Sequence, residues 1–259
     1  MRAAAFDATA HEYARHRALP EGVAASIRSA VLASAGGGSK PSVLDLGAGT
    51  GRIGWPFVAA GDNYLGVDVS LAMLHEFMRR DAGGRTPRLA CCEGESLPFR
   101  DGLFDVVMLI QVIGGARGWR RLVAEARRVL HGDGSLVIGK TVAPADGIDA
   151  SLKARLAEIL EELGVQADEK QAGKALSWLE SVAREKQVVV AASWSSERSP
   201  CGFLDRKPTG ARFLELPLAV REEALRRLTD WATATFGSLE RVHAESYAFE
   251  LTTFRFSGD

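Results

Sequence analysis

Little in this sequence points to a membrane, a polyanion or a metal. There are three cysteines, Cys91, Cys92 and Cys201. Two are adjacent and none stands in C-x-x-C spacing, so neither a zinc site nor a disulfide framework is indicated, and the odd count fits a reducing cytosol. Cys91 and Cys92 are expected as buried strand residues. No apolar run approaches the roughly 20 residues that span a bilayer. The opening segment MRAAAFDATAHEYARHR carries Asp7 and Glu12 and no long apolar core, so it does not read as a signal peptide. Formal net charge is -1, which gives no reason to expect nucleic acid as the main partner. These absences leave a cytoplasmic protein with no metal, membrane or nucleic-acid partner as the expectation.

What is present is an ordinary globular mix, 46% hydrophobic and 25% charged over 259 residues. That suffices for one large α/β domain with its own core, extending over 1–259. Residues 21–35 place Val23, Ile27, Ala30 and Val31 on one helical face. The run SVLDL (42–46) is too short for a helix and apolar enough for a buried strand. Helix-compatible sequence follows at 52–60, then NYLGVDV (63–69) as a strand and 70–81 as a helix with Ser70 as N-cap. Strands are expected at 88–92, 104–113 and 134–142, with a helix at 119–130. Strands alternating with helices imply right-handed parallel crossovers and a doubly wound sheet.

Beyond residue 143 the rhythm changes. Helices are expected at 149–164, ended by Gly164, and at 169–184. KQVVVAASW (186–194) reads as a strand, and 199–217 as a loop or short-helix insertion punctuated by Pro and Gly. Residues 218–236 read as a helix with Val220, Leu225, Leu228, Trp231 and Ala232 inward. The final strand-like run, 245–256, slips in its alternation near Thr252–Thr253, as a bulge would. Trp194, Glu197 and Arg198 are candidates for a substrate pocket, beside the plainer reading of a strand end with a surface ion pair.

The segment SVLDLGAGTGRIG (42–54) frames the functional question. Gly49–Gly54 fits G-x-G-x-x-G, the dinucleotide fingerprint. A phosphate-binding P-loop is excluded, because Arg52-Ile53 follow where Lys-Ser/Thr is needed. Asp45 lies two residues before Gly47. A carboxylate there would repel a pyrophosphate and attract an ammonium or sulfonium. Asp68 ends the second strand where a carboxylate accepts from ribose hydroxyls, a device shared with nicotinamide enzymes. Glu93 follows the third strand, placed to accept from an adenine amino group. Three strands, each ending in an acid at one sheet edge, outline an adenosine with a cationic tail, the chemistry of S-adenosylmethionine.

The ordered set VLDLGAGTGR, GVDVS…ML, CCEGESLPF, FDVVMLIQVI and EARRVLHGDGSLVI resembles the successive motifs of class I S-adenosylmethionine-dependent methyltransferases, in particular the small-molecule group related to ubiquinone and menaquinone biosynthesis. The resemblance covers roughly residues 10–142. It implies a mostly parallel seven-stranded Rossmann-like sheet with an antiparallel C-terminal strand and a helical lid inserted at about 199–240. It also implies an N-terminal helical cover (1–35), a cofactor-binding core (40–142) and a C-terminal part (143–259). By position, Gly47, Ala48, Gly49 and Thr50 approach the methionine moiety; Asp68 takes the ribose, with Val69 and Met73 near the adenine; Glu93, Gly94 and Glu95 line the adenine edge; and Gln111 meets the cofactor at the fourth strand. YARHR (13–17) matches the group's Tyr-x-x-x-Arg, so Tyr13 and Arg17 would close over the cofactor, with Arg17 a partner for its carboxylate. His11 and His16 are candidate bases at the entrance.

Two departures stand out. Gly114-Gly115 occupies the place of a His-His pair, which removes a familiar base, and Glu93 replaces the usual Asp. The implied activity is methyl transfer to a small-molecule oxygen, nitrogen or carbon. A cofactor-binding protein without turnover and a nicotinamide-dependent oxidoreductase remain as alternatives. An acid-Pro-Pro-aromatic motif after the fourth strand, typical of amino-group methylation in DNA, is missing.

Overall fold

The structure is a computed structural model that describes residues 18–36, 40–80, 84–116, 118–165, 171–209 and 211–257. Its elements follow the expected alternation. Helix α1 (Val23–Ala33) precedes β1 (Ser42–Leu46), α2 (Trp55–Ala60), β2 (Asn63–Asp68), α3 (Leu71–Met78), β3 (Leu89–Cys91) and β4 (Phe104–Ile110). A 3₁₀ turn (Ile113–Gly115), α4 (Trp119–Val129) and β5 (Leu130–Val142) complete this series. Then come α5 (Ile148–Glu162), α6 (Gln171–Val182), β6 (Glu185–Arg198), α7 (Pro200–Arg206), α8 (Ala211–Leu214), α9 (Leu218–Phe236) and β7 (His243–Arg255).

The strands form one seven-stranded sheet in the order β3-β2-β1-β4-β5-β7-β6. The first five pair in parallel, with Asp45 level with Gly66 and Asp68 level with Cys91. The C-terminal strands run antiparallel, so the sheet is mixed but mostly parallel. The strand order reverses between β1 and β4, and the carboxyl ends of the strands on either side open the crevice where such sheets take ligands.

Two compact units divide the chain: Met1–Thr141 with Lys170–Ala192 and Phe249–Asp259, and Val142–Glu169 with Ser193–Ala248. The first is built on β1 and β4, whose residues Val43, Leu44, Val106, Val107, Met108 and Leu109 are fully buried. Leu44 and Leu46 face Trp119, Val123 and Ala126 of α4, and Trp119 packs on Trp178 with ring centroids 6.0 Å apart. The second has its own core. Ile148, Leu152, Leu156 and Ile159 of α5 meet Phe203, Phe213 and the Ala224–Leu228–Ala232 stripe of α9.

The differences from the sequence reading have simple causes. The segment 199–217 follows the short-helix alternative of its reading, its first helix capped by Ser199, whose hydroxyl accepts from the Gly202 N–H at 3.2 Å. On α9 the fully buried stripe runs through Ala224 rather than Val220, with Leu225 and Trp231 on its flanks. Leu251–Phe254 of β7 are all buried, because β7 is an interior strand; burial on both faces is enough to disturb the alternation there. Cys91 is exposed and Cys92 half-buried, not the buried pair expected, because β3 is the outermost strand of the sheet. Ser70 caps α3 as expected, accepting from the Met73 N–H at 3.2 Å.

Candidate functional site

The loop after β1 is fastened to the end of β2. The N–H groups of Gly47 and Ala48 both donate to the Val67 carbonyl, at 2.8 and 2.9 Å. The Gly49 N–H donates to Asp68 Oδ2 at 2.9 Å, and the Ser70 N–H to Asp68 Oδ1 at 2.9 Å. One carboxylate therefore ties together the two loops that leave β1 and β2.

The glycines of this loop do different jobs. Gly47 has φ +86°, and a Cβ there would collide with Val112 on the far side of the switch point. Gly51 (φ +74°) lies against the Phe77 ring of α3, and Gly54 against Tyr64 of β2. The last two glycines of the apparent dinucleotide fingerprint thus make room for two aromatic rings of the core.

A cleft of about 520 Å³, including its open mouth, lies at this edge. Its walls bring together six residues expected from the sequence: Gly47, Asp68, Val69, Glu93, Gly94 and Glu95. Sequence reasoning missed the apolar walls, chief among them Val112, Ala116 and Leu122, with Cys92 between. A Cβ at Gly94 would meet Leu122, so the glycine lets the β3 loop close against α4. Three carboxylates border the cleft, and among the described residues its lining contains no basic side chain.

Asp45 requires a correction. It is buried at 2% exposure and does not line the cleft. Its Oδ2 accepts from the Tyr64 hydroxyl at 2.7 Å. In the pleat of β1 it points opposite to Leu44 and Leu46, away from α4. Burial raises its pKa to about 7, against the lowering effect of the Tyr64 hydrogen bond, with the nearby Asp68 charge adding to the rise. The same burial holds the Tyr64 phenol well above its ordinary value. The repulsion of a pyrophosphate assigned to Asp45 falls instead to the acids of the lining.

Ala48, Thr50 and Met73 also lie behind the cleft wall. Ala48 packs under Gly66, the Thr50 carbonyl accepts from Arg80 Nε at 2.9 Å, and Met73 is buried on α3. Gln111 stands at the end of β4, exposed, with φ +60°, a conformation rare for a side-chain-bearing residue. Its Oε1 accepts from Arg52 Nη2 at 2.5 Å, and its Nε2 donates to Thr141 Oγ1 at 2.9 Å. Gly114 leaves open space where a Cβ would project. Tyr13, Arg17, His11 and His16 lie outside the described residues. Trp194 and Arg198 lie in the second unit, where both pack on Tyr247: the Trp194 ring stacks at 5.9 Å and Arg198 Nε donates to the hydroxyl at 3.1 Å. Burial and the Glu245 partner push the Tyr247 phenol up to about 12. Among the described residues no group of His, Cys, Asp and Glu could hold a metal.

Comparison with known proteins agrees with this geometry. Residues 44–138 match the family described as methyltransferase domain. The chain is 35% identical over 136 residues to a malonyl-[acyl-carrier protein] O-methyltransferase of Geobacter sulfurreducens, covering 50% of this chain and 49% of that protein. It is 33% identical over 139 residues to a demethylmenaquinone methyltransferase of Thermobifida fusca, covering 52% and 59%. The matches thus span about half the length of these relatives. Among solved structures, the YcgJ protein of Bacillus subtilis superposes with a TM-score of 0.57 at 19% identity, over 90% of this chain and 99% of that one, which speaks for the fold. Residues 44–138 thus match a methyltransferase domain, and the chain shares its fold with that solved protein, in line with the resemblance read from the sequence.

Proposed function

We propose that the protein transfers the sulfonium methyl of S-adenosylmethionine to a small-molecule acceptor. One observation carries this reading: the cleft at the ends of β1, β2 and β3 is bordered by the three carboxylates of Asp68, Glu93 and Glu95. A ligand with hydroxyls, an amino group and positive charge suits it; a pyrophosphate does not. The apolar walls from Val69, Val112 and Leu122 suit the flat adenine.

Asp68 is the proposed ribose acceptor. Each of its oxygens already accepts one backbone N–H. A carboxylate has roughly four lone-pair positions, so it can take hydroxyls as well, and the backbone bonds fix its orientation. Glu93 is proposed for the adenine amino group. The bound cofactor supplies an activated methyl on a positive sulfur. The protein's part is alignment of acceptor, methyl and sulfur, a positioning effect worth up to roughly 7–11 kcal/mol in favourable cases. A base is needed only for an acceptor that arrives protonated, so Gly114-Gly115 in place of a His pair is compatible with turnover. We assign acceptor choice to the chain beyond the matched residues, chiefly 199–240. The setting we infer is the cytoplasm: the three cysteines are unpaired, and no helix among the described residues is long and apolar enough to cross a membrane.

A nicotinamide enzyme is disfavoured by the carboxylates of the cleft lining, which would face a pyrophosphate. Calorimetric titration with S-adenosylmethionine, S-adenosylhomocysteine and NAD(H), with Asp68→Ala alongside, tests the reading. Micromolar binding of the adenosyl compounds, lost in the variant, is expected. Binding of NAD(H) alone would overturn it. Tight cofactor binding with no methyl transfer to any member of a broad acceptor panel would favour the non-catalytic alternative.

A further inference from the structure

The second unit holds an arginine that is fixed in place and paired with no acid. Arg198 is half-buried near the end of β6 and held against Tyr247 in two ways. Its Nε donates to the phenol oxygen at 3.1 Å, and its guanidinium carbon lies 4.9 Å from the ring centroid. Trp194 stacks on the same ring at 5.9 Å. The tyrosine is fixed in turn. Its hydroxyl donates to Glu245 Oε2 at 2.7 Å, and Glu245 Oε1 accepts from the Ile148 N–H at 2.6 Å. A run of bonds from the start of α5 therefore sets the angle of the guanidinium.

The acids around this cluster are committed elsewhere. Asp149 accepts from Arg206 Nη2 through both oxygens, at 2.9 and 3.0 Å, and Glu245 is buried under the tyrosine. Glu197 is the neighbour of Arg198 on β6, so it points to the opposite face of the strand. The strand-end ion pair read from the sequence is thus not formed, and among the described residues no acid pairs with Arg198. Arg155, Arg206 and Arg227 of the same unit each hold a carboxylate.

We propose that Arg198, positioned by Tyr247, binds an anionic group of the methyl acceptor, a carboxylate or a phosphate; this rests on the methyl-transfer reading and on the assignment of acceptor choice to the chain beyond the matched residues. A guanidinium carries five N–H donors in one planar fork, and Arg198 uses its Nε donor on the tyrosine. Its two Nη groups remain to take a pair of oxygens. A side chain already stacked and bonded has little rotamer freedom left to lose on binding. Every residue of the cluster lies in the second unit, outside the matched domain.

The first test needs no identified acceptor. In the proton–nitrogen correlation spectrum of the full chain, the Arg198 Nε–H signal, assigned by its loss in Arg198→Gln, is titrated with acetate, inorganic phosphate and chloride at constant ionic strength. A saturating shift with acetate or phosphate and none with chloride is expected, and the tighter of the two names the anionic group. Tyr247→Phe keeps the ring and removes the hydroxyl, and should weaken that binding about threefold to tenfold. The second test is an acceptor panel that pairs each carboxylate with its amide and each phosphate monoester with its alcohol. The anionic member should be methylated better, and Arg198→Gln should raise its KM about tenfold or more. Equal shifts with chloride, or no saturation, overturn the site. Neutral acceptors used as well as their anionic partners overturn its part in acceptor choice. Affinity for S-adenosylhomocysteine should stay within about twofold in Arg198→Gln. Wild-type protein that binds no adenosyl compound while its Arg198 signal saturates would overturn the cofactor reading and the acceptor role with it, and leave the anion site standing.

Discussion

Each unit of the molecule starts a helix with a carboxylate, and only one of the two carboxylates borders the cleft. In the first unit Asp68 accepts from the Ser70 N–H ahead of α3 and from Gly49 in the loop, and borders the cleft. In the second, Glu245 Oε1 accepts from the Ile148 N–H at the start of α5 at 2.6 Å, and Oε2 accepts from the Tyr247 hydroxyl at 2.7 Å. Glu245 is buried, closed over by Tyr247, on which Trp194 and Arg198 pack. The device is the same, an anion at a helix start. A tyrosine over the carboxylate turns Glu245 into a structural anchor; Asp68 instead borders the cleft.

Asp45 extends the comparison and gives the largest expected effect. It is a buried carboxylate with a tyrosine partner. Its pKa is higher in the folded state than the ordinary 3.8, so the native protein holds this proton more tightly than the unfolded chain. Its contribution to stability is therefore best at low pH and falls as pH rises from about 4 through about 7, by roughly 4 kcal/mol in all. Asp45→Asn should remove that slope, which denaturant unfolding at a series of pH values will show. Identical slopes in both proteins would mean the Tyr64 bond carries the charge without penalty.

Glu245→Ala comes next. It orphans the Ile148 N–H and the Tyr247 hydroxyl together, and should cost about 3 kcal/mol by chemical denaturation. Affinity for S-adenosylhomocysteine should stay within about twofold, since the anchor has no open side. A large loss of affinity would break the division between anchor and ligand carboxylate. Asp68→Asn should act the other way. It leaves one of the two N–H groups of Gly49 and Ser70 without its acceptor and so costs about 1 kcal/mol of stability, while S-adenosylhomocysteine binding weakens by about 2 kcal/mol, near thirtyfold in Kd.

How much of this could be read beforehand follows from what each feature depends on. The glycine loop, Asp68 and Glu93 were legible because strand ends in a parallel sheet share one edge, so local pattern fixes their neighbourhood. The burial of Asp45 was not legible. It depends on Tyr64 lying across two strands and on Gly66 leaving room beside the hydroxyl, neither of which a single strand reveals. Val112, Ala116 and Leu122 looked like ordinary core residues, and their place on the cleft is set by the 3₁₀ turn and by α4 approaching Gly94. In the second unit the helices were legible from their period. Its anchor was not, because Glu245 and Ile148 are 97 residues apart. The unexpected strand start of β5 at Leu130 has a similar origin: it pairs with Phe104 across a register shift that periodicity does not encode.

The smallest expected effect sharpens the comparison most. Ser70 is fully buried between the two roles of its neighbour: its N–H holds Asp68, and its hydroxyl accepts from Met73. Ser70→Ala deletes the hydroxyl and keeps the N–H. If Asp68 is positioned by backbone donors alone, the variant should lose about 1 kcal/mol of stability, the ordinary cost of an N-cap. Its affinity for S-adenosylhomocysteine should be unchanged within about twofold, because the Gly49 and Ser70 amides still hold the carboxylate. A tenfold loss of affinity at that small cost in stability would show that the cap itself sets the carboxylate's angle. Helix start and ligand site would then be one mechanical element, a coupling that Glu245, sealed beneath its tyrosine, has no means to transmit.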